Sequence, residues 1–248
     1  MKSLVIFTIV VSVPFLSACC PIPDISALIP ASGEALDGSG ALVTEEFALT
    51  GFDRVEASHA FEVNVAQGDT FSVVVSIDDN LAQYLRVEKR GSTLNIGLDP
   101  RRNYRNTDAR AEVTMPELTG LQLSGATHGT IGGFDSAGGF TVEVSGASHL
   151  TGDIQTGDFL LDASGASRVT LSGSARGVVI DVSGASHVDL ADFAAVNADV
   201  EASGASTVTV NASGRLDANA SGASHIKYLG SPSLGTVDTS GASSVEAQ

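Results

Sequence analysis

One four-residue motif, Ser-Gly-Ala-Ser, recurs along the second half of the chain at almost constant spacing. It begins at Ser124 (there ending in Thr), Ser145, Ser164, Ser183, Ser203, Ser221 and Ser240, and the gaps between starts are 21, 19, 19, 20, 18 and 19 residues. So narrow a period marks a repeat architecture in which each unit stacks on the next. Each unit alternates apolar and polar residues on both sides of the motif. Val178, Ile180 and Val182 precede the fourth copy, and Val188 and Leu190 follow it. Period-two alternation is the mark of a half-buried strand. Carried through the motif, it puts Val182, Gly184, Ser186 and Val188 on one face and Ser183, Ala185 and His187 on the other. Each unit therefore reads as one strand, or two joined at a slight bend.

The rest of each repeat is turn-prone, as at Gly152-Asp153 and Ala212-Ser213-Gly214, and leaves no room for a helix beside the strand. The leucine and asparagine ladder of a leucine-rich repeat is absent. The expected fold is all-β. It is a parallel, right-handed, single-stranded β-helix, a solenoid of about 19-residue repeats closed by an irregular β cap at its amino-terminal end.

The cap is expected over Phe47 to Leu118. Phe61, Val63 and Val65 alternate, as do Phe71, Val73, Val75 and Ile77. Residues 78–85 read as a short helix capped by an aspartate. Residues 87–96 read as a hairpin through Arg90-Gly91-Ser92, and 101–106 as a polar loop.

The chain's beginning reads as an address. Lys2 precedes an apolar run from Leu4 to Phe15, too short to span a bilayer and suited to a signal peptide over residues 1–18. Leu16-Ser17-Ala18-Cys19 resembles a bacterial lipobox, which implies cleavage and lipidation of Cys19. The residue after Cys19 is not Asp, which points to the outer membrane. Residues 19–44, rich in Pro, Ser, Gly and Ala, read as a flexible tether, and 45–248 as the solenoid domain. Cys19 and Cys20 are the only cysteines, so the domain has no internal disulfide.

The net charge of −16 argues against nucleic acid as a partner, since that needs a basic face. The charge is uneven. Arg54 to Arg110 holds eight of the thirteen Lys and Arg, whereas residues from 119 onward carry 13 acids against four cations.

Several stretches together resemble the head GIN domain family, described as an auto-transporter adhesin. They are Phe52 to Val65, the Val-Ala-Gln-Gly-Asp turn, Asp-Asn-Leu, Gly-Ser-Thr-Leu-Asn-Ile, the Ser-Gly-Ala-Ser repeats and Tyr228-Leu229-Gly230-Ser231-Pro232. The resemblance spans about residues 47–247. It implies an exported β-helical domain with an adhesive role, and it brings no catalytic residues with it.

Two outward ladders are the candidate binding residues. One is Gln122, Glu143, Asp162, Asp181, Glu201, Asn219 and Asp238. The other is His128, His149, Arg168, His187, Thr207, His225 and Ser244. Six residues apart in each repeat, they are expected on one polar ribbon. Such a ribbon serves solubility, or it binds a repetitive surface polysaccharide or a surface protein. Shared Ca²⁺ or Zn²⁺ is a weaker reading. The Gly-Gly-x-Gly-x-Asp repeat is missing, and Arg168 and Thr207 interrupt the histidines. No cofactor is expected. The favoured function is a non-catalytic envelope module held at the membrane by its lipid. The rival is a carbohydrate-active β-helix enzyme, which needs two convergent carboxylates in a cleft.

Overall fold

A computed structural model describes residues 35–248, so the expected signal peptide, Cys19 and most of the tether lie outside the described residues. The cap contains β1 (Leu36–Asp37), β2 (Leu42–Glu46), β3 (Arg54–Ala57), β4 (Glu62–Gln67), β5 (Ser72–Asp78), β6 (Leu85–Arg90), β7 (Thr93–Leu98), β8 (Tyr104–Arg105) and β9 (Ala109–Met115). The coils follow as β10 (Gly120–Leu123), β11 (His128–Asp135), β12 (Gly139–Val144), β13 (His149–Gln155), β14 (Asp158–Ala163), β15 (Arg168–Val182), β16 (His187–Ala202), β17 (Thr207–Ala212), β18 (Arg215–Ala220), β19 (His225–Gly230), β20 (Ser233–Thr239) and β21 (Ser244–Ala247).

These strands form two parallel walls. The first stacks β3, β10, β12, β14, the second halves of β15 and β16, β18 and β20. The second stacks β4, β11, β13, the first halves of β15 and β16, β17, β19 and β21. Each coil thus carries two strands, and the motif between them is a true corner. The alternation predicted the buried set: Val178, Ile180, Val182, Val188 and Leu190 are all inside. Phe140, Phe159 and Phe193 stack through the interior, with centroids 6.0 and 5.3 Å apart.

The corner departs from the expected parity at its glycine. Gly184 is exposed, not inward, because its φ of 75° turns the chain. All seven motif glycines take φ between 73 and 80°, a region where a side chain is strained. The alanine N–H that follows donates to the glycine carbonyl one coil earlier, at 2.7 Å in all six coil-to-coil steps from Ala147→Gly125 to Ala242→Gly222. The fourth residue turns back inside. Ser206 and Ser224 donate to the carbonyls of Ser203 and Ser221 at 2.8 Å, which closes the turn and satisfies a hydroxyl buried among apolar side chains.

The cap continues both walls. β7 runs parallel to β3, and β6 closes that wall antiparallel to β7 as the expected hairpin. β9 runs parallel to β4, then β5 and β2 follow antiparallel. Two expectations need correction. The tether gives way to structure before residue 44: β1 pairs with β8 and β2 with β5. The helix over 78–85 is only a 3₁₀ turn, Ala82–Tyr84, with no side-chain cap. The Asp78 carboxylate is occupied elsewhere. Fully buried, it accepts the amides of Gly40 at 2.7 Å and Asp108 at 2.8 Å and so ties three cap segments together.

Candidate functional site

The two ladders exist in register, but the corner parts them. Glu143, Asp162, Asp181 and Glu201 stand on successive rungs of the first wall. His128, His149, Arg168 and His187 stand on the second. The expected single ribbon is therefore two faces, because the positive-φ glycine redirects the chain between them.

Both ladders also start earlier than the repeat suggests. On the first wall, strand pairing continues from Gln122 through Glu56 and Asn95 to Glu88. On the second, His128 is followed by Glu62 and Arg110, which approach each other at 3.7 Å. A spacing count misses these residues because the cap has no repeat.

Within the first wall, the row beside the acids holds Thr141, Leu160, Val179, Asp199 and Asp217. Leu160 and Val179 are 47 and 49 % exposed, large for outward apolar residues. With Glu143, Asp162, Asp181 and Glu201 they line a shallow groove of about 320 Å³. Burial, and then the Asp181 charge one rung away, raise the Asp162 pKa above its ordinary value. Asp217 behaves oppositely. The Arg215 guanidinium and the Thr236 amide hold it down to about 2.

On the second wall, the His128 and His149 rings stack at 4.9 Å and 10°. His225 Nδ1 lies 3.0 Å from the Ser244 hydroxyl. Among the described residues, no three His, Cys, Asp or Glu side chains converge to hold a metal.

A third feature was not legible in the repeat. In the first coil, Ser58-His59-Ala60-Phe61 occupies the corner, and His59 takes φ 67° where every later coil has glycine. His59 borders a cleft of about 540 Å³ between the β6–β7 hairpin and the loop after β7. Burial lowers the His59 pKa, and Leu98 N–H approaches its Nδ1 at 3.4 Å.

Residues 51–232 match the family described as putative auto-transporter adhesin, head GIN domain. The chain belongs to that family. Solved structures share the head GIN fold. A putative adhesin from Bacteroides fragilis superposes with a TM-score of 0.81 at 20 % identity, over 86 % of this chain and all of that one. A putative lipid binding protein from Parabacteroides distasonis gives 0.67 at 21 %, over 87 % and 100 %. A putative adhesin from Parabacteroides merdae gives 0.64 at 16 %, over 86 % and 99 %. No curated protein sequence matches.

For a head GIN domain, then, the walls are common scaffold at these low identities. The acids of the first wall all rise from one face and all point away from one core. A glycosidase needs two carboxylates flanking a bond, roughly 5–10 Å apart. The rungs, about 4.8 Å apart, place Glu143, Asp162, Asp181 and Glu201 side by side on one face.

Proposed function

We propose that this chain is a non-catalytic binding module of the cell envelope, lipidated at Cys19 and held on the outer membrane. Its partner is a surface protein or polysaccharide, engaged through the outward face of the first wall. The observation that carries this reading is the groove around Leu160 and Val179. Exposed aliphatic side chains on a strand face gain from being covered. The carboxylates around them set the charge of whatever covers them. A cationic, partly apolar protein segment fits this face better than a neutral glycan, because the groove is lined by five carboxylates and no cation.

Two features support a binding role over a catalytic one. The face is a periodic ladder of carboxylates in register along one wall. The family and the solved neighbours carry adhesion and lipid-binding descriptions.

The test is interferometry on the purified full chain. The ligands are cationic amphipathic peptides, neutral polysaccharides and acidic polysaccharides, and the variant is Leu160→Asp with Val179→Asp. Peptide binding that weakens about tenfold or more in the variant supports the reading. Peptide binding unchanged by the variant, or no binding of any class, removes it.

A further inference from the structure

The cleft in the cap is separate from the groove on the first wall, and its construction differs. We propose that it is a saccharide site, which holds one or two units of a neutral, polyhydroxylated ligand. Four observations converge on this.

The first is backbone strain. His59 and Ala60 both take positive φ, 67 and 60°. Glycine serves at the matching position of all seven later corners. Non-glycine residues held in this region cost of order 1 kcal/mol each and concentrate at ligand sites. Corner geometry alone does not call for an imidazole here.

The second is how the ring is held. Leu98 N–H lies 3.4 Å from Nδ1 and the Ser58 hydroxyl 2.7 Å from it. An amide can only donate, so Nδ1 accepts and the proton sits on Nε2. The Tyr104 ring stands edge-on, with centroids 6.3 Å apart. The result is a fixed neutral donor at the edge of the cleft.

The third is Gly97, which pairs with Arg86 across the hairpin. A Cβ there would come within 2.6 Å of Ser58 Oγ and 3.2 Å of His59 Nδ1. The missing side chain lets Ser58 and His59 pack directly against the β7 backbone and so fixes one side of the cleft. The volume of about 540 Å³ falls within the range of roughly 300–1,000 Å³ usual for small-molecule sites.

The fourth is charge, and it decides the ligand class. The lining holds Glu56, Glu88 and Asp99 against Arg86, Arg90 and Arg101. Arg86 reaches Asp99 at 3.3 Å, and Arg90 pairs with Glu88. An anion would meet three carboxylates and a cation three guanidiniums. Adjacent hydroxyls of one neutral ligand can donate to a carboxylate and accept from a guanidinium at once. In a chain of net charge −16 this balanced cleft stands apart.

The test is titration calorimetry with saturation-transfer NMR on the full chain. The probes are neutral trisaccharides (maltotriose, cellotriose, triacetylchitotriose), acidic trigalacturonate and the cationic chitosan trimer. The variants are Arg86→Ala and His59→Gly. The second restores the glycine used at the other corners and so is expected to fold. The expected result is binding of at least one neutral trisaccharide, weakened about tenfold in both variants. The proposal is overturned by no neutral binding at about 10 mM, by binding of the charged probes alone, or by variants that melt like the wild type and keep its affinity. None of these results bears on the Leu160–Val179 groove, so the two readings fail separately.

Discussion

A Cβ placed on Gly184 would lie 2.4 Å from the carbonyl oxygen of Gly165, one coil earlier. That oxygen already accepts from the Ala185 amide at 2.7 Å. Two constraints therefore meet at one atom, a positive φ of 75° and a close backbone approach. Gly184→Ala breaks both. The strained conformation costs about 1–2 kcal/mol, and forcing neighbouring coils apart adds about 1–3 kcal/mol. Gly132, where a Cβ meets nothing within 4 Å, is the control. Thermal melts should show a clear loss for Gly184→Ala and almost none for Gly132→Ala. Equal melting points would mean that the corner column does not hold the coils in register.

A second prediction separates the two faces of one strand. Ile180 is 1 % exposed, and its neighbour Asp181 points outward. Ile180→Asp buries an unpaired charge and costs about 3–5 kcal/mol. In a domain of this size that is roughly 10 °C of melting temperature. Asp181→Ala removes only an exposed carboxylate beside Asp162, so its melting point should match the wild type or exceed it slightly. A large loss in both variants would contradict the inward and outward assignment.

These two neighbours also show what the amino-acid order makes legible. The alternation Val178, Ile180, Val182 identifies the core directly, since period two has only one structural meaning over six residues. The corner is harder to read. Ser-Gly-Ala-Ser is compatible with a strand of small residues and with a sharp turn, and only the glycine φ distinguishes them. That ambiguity is why the acidic and histidine ladders read as one ribbon. The cap was less legible still. Glu56 joins the acid ladder because β3 pairs with β10, opposite Gln122, at a sequence separation that the repeat period does not supply. The first corner was hidden because His59 stands where the motif has glycine, and no composition rule expects histidine at positive φ.

A third prediction concerns the anchor. Leu16-Ser17-Ala18-Cys19 should direct lipidation of Cys19. Cells grown with labelled palmitate should label the wild type and leave Cys19→Ala unlabelled. Label retained in the variant would discard the lipoprotein reading while leaving the binding reading intact.

The last prediction is a stability curve with two opposite slopes, drawn by two aspartates on the same wall. The Asp162 pKa is raised above the ordinary 3.8, first by burial and then by Asp181. The folded state therefore takes up its proton more readily than the unfolded chain does. Above the raised value the charged form is a penalty on folding. That penalty fades as pH falls through the raised value and is gone below 3.8. Asp217 runs the other way. Arg215 lowers its pKa from 3.8 to about 2, so its contribution is present above 3.8 and is lost as pH falls through about 2. Both side chains are solvent-facing, so each slope is small and is read by difference. Relative to wild type, Asp162→Asn should flatten the gain on mild acidification. Asp217→Asn should lose stability at neutral pH and converge with the wild type in strong acid. Carboxyl NMR titrations should place Asp162 above 3.8 and Asp217 near 2. An Asp162 value below 3.8 would show that its burial between Glu143 and Asp181 is relieved in solution. The apolar groove beside it would then be open to water.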